Sequence, residues 1–207
     1  MFAALLVLVG AGCSSSSSGA SNTPGSTTPN AIVWPAPPDP MARARAAGLV
    51  PETAESLQFH VHAHLDVFVD GQKVTVPAGL GIDTTNPGVH DFPNIAGATG
   101  YGGINPPCSS PCISPLHTHD VTGIIHTESK TQKFNTLGQL FTEWDVKLDQ
   151  NCVNTYCKPN DKIAVYVDGK PYTGDPRTIP LSDHKEIAIV IGTPPAQIPA
   201  TADWSQI

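Results

Sequence analysis

The stretch from Gln58 to Val69, QFHVHAHLDVFV, constrains the fold more than any other part of the chain. Its odd-numbered positions are all apolar, whereas its even-numbered positions are mostly polar and include His60, His62 and His64. Because side chains alternate between the two faces of a strand, this period of two predicts a strand with its apolar set on the core. The three histidines are then expected to lie together on the opposite face.

A second group of histidines lies in the segment SPLHTHDVTGIIHTES, which predicts a hairpin. A turn of even length leaves two registers open, in which His126 faces either His119 or His117. Both registers place His117, His119 and His126 on one face of the hairpin. Six of the eight histidines of the chain therefore belong to two predicted strand segments.

The two histidine segments predict a metal site. A transition metal takes three or four nitrogen ligands at about 2.0–2.1 Å, and histidines two residues apart on a strand point the same way. Because one segment supplies only two ligands easily, we expect both segments to share one ion. Asp66 and Glu128 lie on the same faces and are expected to orient ligands or to transfer protons. The predicted ligands are His60, His62, His64, His117, His119 and His126.

The donor set restricts the metal. Imidazole ligands suit copper, zinc, nickel and iron. After removal of a signal peptide only Met41 remains, which argues against a methionine-rich Cu(I) carrier. Many nitrogen donors in an exported chain favour copper, with zinc as the alternative. His90 and His184 lie outside the two segments and are expected to be ordinary surface residues.

The cysteines point to an oxidising compartment. If Cys13 is lipidated, Cys108, Cys112, Cys152 and Cys157 remain, and an even number in an exported chain predicts disulfides. Three connectivities are open. A zinc site with four cysteine ligands and a copper–thiolate role for Cys112 are competing interpretations.

The N-terminal sequence MFAALLVLVGAGCSS is an apolar run that is too short to span a bilayer. It predicts a lipoprotein signal over residues 1–12 with Cys13 lipidated; the alternative is a cleaved secretory signal. Residues 13–45 are expected to form a Ser/Pro-rich tether and a short helix. Residues 46–194 are the expected metal-binding domain, and residues 195–207 a C-terminal tail.

The remaining patterns predict an α+β fold. The segment NTLGQLFTEW has Thr136 as N-cap, Gln139 three residues on and apolar residues at helical spacing, which predicts a helix. Asp-Gly pairs at 70–71 and 168–169 predict two hairpins. We expect one helix packed on an antiparallel or mixed sheet, β-grasp-like, with a small β-sandwich as the alternative. The long loop over residues 80–115 is of a kind that is often functional.

The charge balance excludes two classes of partner. The chain has 11 Lys and Arg against 18 Asp and Glu, a net charge of −7, and no basic run. Nucleic-acid binding is therefore not expected. Without a polybasic or amphipathic stretch, contact with a membrane is expected through the lipid anchor only. The sequence indicates no protein partner.

Three stretches, HVHAHLDVFVDG, LHTHDVTGIIHTES and TLGQLFTEW, together resemble the core of a set of small exported bacterial and archaeal proteins. The resemblance runs from about Ala46 to Ile191. It implies that the six predicted ligand positions belong to a shared motif and that the domain is a unit, but it implies no particular activity.

These features lead to an expected function and its alternatives. The first is a cell-envelope lipoprotein that binds a transition metal through a polyhistidine site. The alternative is a metalloenzyme in which three histidines hold a metal that activates water or oxygen. A third interpretation is a purely structural metal site.

Overall fold

The computed structural model describes Met1 and residues 32–93 and 98–207. The predicted signal peptide beyond Met1 and the tether up to residue 31 lie outside the described residues. The described residues from 32 to 207 belong to one compact unit. Among the described residues, no helix combines the length and the apolar character that crossing a membrane requires.

The elements of this unit follow one another in a strand-rich order. The two α-helices are α1 (Pro40–Ala46) and α2 (Leu137–Glu143), and Pro176–Thr178 and Trp204–Gln206 form short 3-10 turns. The strands of the described residues are β1 (Ile32–Val33), β2 (Phe59–Val69), β3 (Gln72–Thr75), β4 (His90–Pro93), β5 (Thr99–Gly102), β6 (Leu116–His117), β7 (Ile124–Ser129), β8 (Cys152–Val153), β9 (Tyr156–Cys157), β10 (Ile163–Val167), β11 (Lys170–Tyr172) and β12 (Lys185–Ile191).

The main sheet has eight strands. Its order is β1-β3-β2-β12-β10-β11, and β7 pairs with both β2 and β6. Strand β2 is parallel to β12 and antiparallel to β3 and β7, so the sheet is mixed. Because β2 is 11 residues long, its first half pairs with β7 while its end pairs with β3. The mixed sheet with two short helices confirms the α+β class. The β-grasp-like arrangement stays a prediction.

The core lies on one face of this sheet. The alternation predicted for β2 is confirmed, because Leu65 and Val67 are fully buried in the same cluster as Ile187 and Ile189 of β12. Helix α2 covers this face with Leu137, Leu140 and Phe141. The predicted capping box is also present: the Thr136 hydroxyl accepts from the Gln139 N–H, and the Gln139 side chain accepts from the Thr136 N–H. The opposite face of β2 is therefore left to the polar residues.

The folded unit includes residues that precede the predicted domain. Trp34 is only 6% exposed, and its ring centroid lies 5.7 Å from that of Trp144. The Trp144 Nε1–H donates to the Trp34 carbonyl at 3.0 Å. Helix α1 packs on α2, and its Arg43 donates to the Thr142 carbonyl. Burial of a tryptophan and pairing of β1 with β3 join residues 32–46 to the core.

The four cysteines of the domain form two local disulfides. Cys108 is bonded to Cys112, and Cys152 to Cys157. The four-cysteine zinc site and the copper–thiolate role of Cys112 were therefore wrong, because none of these sulfurs is a free thiolate. Two disulfides favour an oxidising, extracellular environment.

Candidate metal centre

The register of three neighbouring strands brings histidines together on the polar face of the sheet. His62 of β2 lies opposite His126 of β7, and His126 also lies opposite His117 of β6. Two positions along, His60 lies opposite Glu128. Directly paired residues share a face, so three imidazoles form a row across the strands. Of the two registers predicted for the hairpin, the structure has the one that pairs His117 with His126.

His119 follows the end of β6 and is held by the long loop instead of the hairpin. The Tyr101 N–H donates to the His119 carbonyl at 2.9 Å, and the His119 Nδ1–H donates to the Tyr101 carbonyl at 2.6 Å. A Cβ at Gly102 would lie 2.8 Å from His119 Nδ1, so the loop needs glycine at this close approach. The long loop, through Tyr101 and Gly102 of β5, therefore positions His119, one of the predicted ligands.

The ring of His126 is the centre of the cluster. Its centroid lies 4.3 Å from that of His119, 4.5 Å from His62, 5.4 Å from His117 and 5.8 Å from His60. Five of the six predicted histidine ligands thus form one cluster, in which the His126 ring contacts each of the other four. We call these five residues, His60, His62, His117, His119 and His126, the imidazole cluster.

Hydrogen bonds on the outer side of the cluster determine which ring nitrogens can bind a cation. The Nδ1 atoms of His117 and His119 contact the carbonyl oxygens of Ser114 and Tyr101 at 2.9 and 2.6 Å. A carbonyl only accepts, so each Nδ1 carries a hydrogen, and Nε2 is the ring atom that can bind a cation. Metal-binding histidines commonly donate their second ring N–H in this way. His117 Nε2 is buried and has no hydrogen-bond partner.

Glu128 lies among the imidazoles instead of behind them. Its Oε1 is 3.1 Å from His60 Nε2, 3.5 Å from His126 Nδ1 and 3.8 Å from His117 Nε2. Glu128 Oε2 and His126 Nδ1 are buried without hydrogen-bond partners. Buried polar atoms without partners are costly, and a bound cation would satisfy lone pairs of this kind. One group that could hold an ion comprises His117, His119, His126 and Glu128; a second comprises His60, His62 and His126.

The buried imidazoles of the cluster are neutral at physiological pH. Burial and the neighbouring His119 lower the pKa of His126 to about 2. Burial, with His119 again adding to it, holds the pKa of His117 well below the ordinary value. Burial and His60 lower the pKa of His62. Neutral imidazoles have the lone pairs that a metal ligand needs.

The structure does not bring His64 into the imidazole cluster. Its Nδ1 lies 2.9 Å from Glu186 Oε2 and its Nε2 lies 2.9 Å from the Thr122 carbonyl oxygen, so both ring nitrogens are engaged. Burial lowers the pKa of His64, but the Glu186 carboxyl more than offsets this and the pKa is raised. Asp66 belongs to the same neighbourhood, 2.6 Å from the Lys73 ammonium. His64, Asp66 and Glu186 form a third group of potential ligands. Ion pairs link His64 to Glu186 and Lys73 to Asp66, and Glu186 Oε1 is buried without a hydrogen-bond partner.

Two acidic residues near these histidines were not among the predicted site residues. Glu55 lies with His117 and Glu128 along a crevice too narrow to admit water, and its Oε1 is buried without a partner. Burial and the nearby Glu128 raise the pKa of Glu55. Glu186 is the second residue of β12 and meets His64 only because β12 pairs with β2. Nothing in the local sequence around either residue indicates these contacts.

The arrangement of the polar face is typical of a metal-binding site. Imidazoles whose outward N–H groups are engaged surround a buried carboxylate, and buried nitrogen and oxygen atoms without hydrogen-bond partners lie between them. His90 and His184, expected at the surface, are exposed. No protein-family model, no curated protein and no solved structure matches this chain.

Proposed function

We propose that this protein is a cell-envelope lipoprotein that captures a transition metal, copper in the first place and zinc as the alternative. One observation carries the proposal: four imidazoles converge around that of His126, and the unpartnered buried atoms His117 Nε2, His126 Nδ1 and Glu128 Oε2 lie among them. Imidazole nitrogens suit copper and zinc, whereas the four cysteines among the described residues are bonded in disulfides and supply no thiolate. Lipidation of Cys13 would anchor the protein.

Metal analysis tests this proposal directly. The full-length chain is purified without a histidine tag or a chelating column, and its metal content is measured before and after addition of Cu(II) or Zn(II). We expect copper or zinc at one equivalent or more, and a higher melting temperature when the ion is present. His90→Ala, which removes an exposed histidine outside the cluster, should change neither quantity. Protein that takes up no ion at micromolar concentrations would contradict the proposal.

A second candidate function is a metalloenzyme. The observation that favours it is the position of Glu128, whose carboxylate oxygen lies within 3.8 Å of three imidazole nitrogens and near the Glu55 carboxyl group. A metal with an open coordination position lowers the pKa of bound water. Glu128 or Glu55 would then accept the proton. A coordination shell closed by four or more protein ligands favours capture, and an open position that exchanges solvent favours catalysis.

The affinity for the metal should be less sensitive to acid than that of an exposed histidine site. When a ligand imidazole has the ordinary pKa of about 6.5, its protonation at about pH 5.5 weakens metal binding about tenfold, because protons compete for the lone pair. Three such ligands would weaken it about a thousandfold. His126, with a pKa of about 2, stays neutral throughout this range, and the pKa values of His62 and His117 are shifted in the same direction.

We therefore expect the apparent affinity to fall by well under a thousandfold between about pH 7.5 and 5.5. Competition with a chromophoric chelator at each pH measures it. A thousandfold loss would show that the ligands are exposed and titrate normally.

A further inference from the structure

The imidazole cluster consists of two histidine pairs joined by a common residue. The His60 and His62 rings lie 4.4 Å apart, and the His117 and His119 rings lie 4.8 Å apart. Each of these four rings contacts His126. Among the described residues, no ring contact joins one pair directly to the other. The potential ligand groups divide in the same way and share only His126.

This division is difficult to reconcile with a single ion. Donor atoms around one transition metal lie about 2.0–2.1 Å from it, so two donors of the same ion are at most about 4.2 Å apart. Within each group the donor atoms lie within 4.8 Å of one another, close enough to contract around an ion with small side-chain movements. By this distance, His60 and His62 belong to one group of donor atoms and His117 and His119 to another. Two ions at the spacing of about 3.5–4 Å that is usual in two-metal sites would use both pairs.

Glu128 is placed to connect the two pairs. Its Oε1 lies 3.1 Å from His60 Nε2 in one pair and 3.8 Å from His117 Nε2 in the other. Its Oε2 is buried without a partner. The same carboxylate oxygen therefore lies near both pairs, which is where a carboxylate that bridges two ions must lie. His126, whose Nδ1 lies 3.5 Å from Glu128 Oε1, is in reach of the same region.

Acidic groups flank both pairs and would offset the charge of two cations. Glu55 lies near His119 and Glu128, and its buried Oε1 has no partner. Asp183 lies beside the other pair, where its Oδ1 accepts from the His62 N–H at 3.2 Å. With Glu128 between the pairs, three carboxylates lie around the imidazole cluster.

We propose that the imidazole cluster holds two transition-metal ions bridged by Glu128, one bound by His60 and His62 and the other by His117 and His119, with His126 between them. This inference rests on the proposed metal-binding function. It replaces the single shared ion expected from the sequence with a two-metal site.

Titration of the metal-free, full-length protein with Cu(II) tests the inference, with copper as the probe. We expect two equivalents to bind tightly. The first should give an ordinary mononuclear electron paramagnetic resonance spectrum. At two equivalents, coupling between the ions should lower the integrated signal to under about half of the bound copper or produce a half-field line. Two equivalents with isolated spectra of full intensity would overturn the proposal.

Variants assign the ions to the two pairs. His62→Gln and His119→Gln should each bind one Cu(II) with a mononuclear spectrum, and Glu128→Gln should lose the coupling. His90→Ala should still bind two. One equivalent in the unmodified protein would overturn the two-metal site while leaving the metal-binding function intact. No bound copper would overturn both. The decisive spectrum is that of the unmodified protein, so the two-metal site stays testable even where a variant fails to fold.

Discussion

His126→Ala is expected to weaken metal binding more than any other single substitution, by at least about a hundredfold. Changes to residues that merely support a ligand cost about 10–100-fold in affinity. His126 is a potential ligand in both groups of the imidazole cluster, and its ring contacts the other four. Its loss should therefore damage the sites of both pairs. Isothermal titration with Cu(II) or Zn(II) measures the effect.

Two matched variants make this result specific. His90→Ala removes an exposed histidine and should leave the affinity unchanged. His64→Gln removes an imidazole whose ring nitrogens are already engaged by Glu186 and Thr122, so it should change the affinity less than about tenfold while lowering stability. If His64→Gln abolished metal binding and His126→Ala did not, the ligand set proposed from the structure would be wrong.

Trp34→Ala is expected to lower the free energy of unfolding by about 3–5 kcal/mol, the usual cost of truncating a buried tryptophan. The side chain is 6% exposed and packs against Trp144. The hydrogen bond from Trp144 Nε1 goes to the backbone of residue 34, so the substitution keeps the acceptor and mainly reports lost packing. Equilibrium urea unfolding followed by circular dichroism measures the change.

Val33→Ala is the control for this prediction. Val33 is the residue just before Trp34 but is 64% exposed, so its truncation should change stability by no more than about 0.5 kcal/mol. A loss of under about 1 kcal/mol for Trp34→Ala would mean that the segment from residue 32 does not contribute to the core, in line with the tether expected from composition.

Local patterns were enough to predict the elements that carry the site. Alternation along residues 58–69 placed the apolar set on the core and the histidines on the other face, because side-chain direction in a strand depends only on position. The capping box at Thr136 and the Asp-Gly turns are also short-range. Asp70 and Gly71 adopt φ of 49° and 78°, as a two-residue hairpin turn requires. Thr136 and Gln139 are three positions apart, and Asp70 and Gly71 are adjacent. Each pattern is therefore visible in a short stretch of sequence.

The chain by itself determined which residue types are available for a metal, and the tertiary structure decided which of them meet. His64 shares a strand face with His62, yet pairing of β2 with β12 brings Glu186 to its ring and removes it from the cluster. The pairing of β7 with β2 carries Glu128 in among the imidazoles. Both outcomes depend on strand register between segments that lie far apart in the chain. The period of two within one strand determines only the face on which each side chain lies. Which residues of two strands lie opposite each other depends on contacts across the whole sheet and its core.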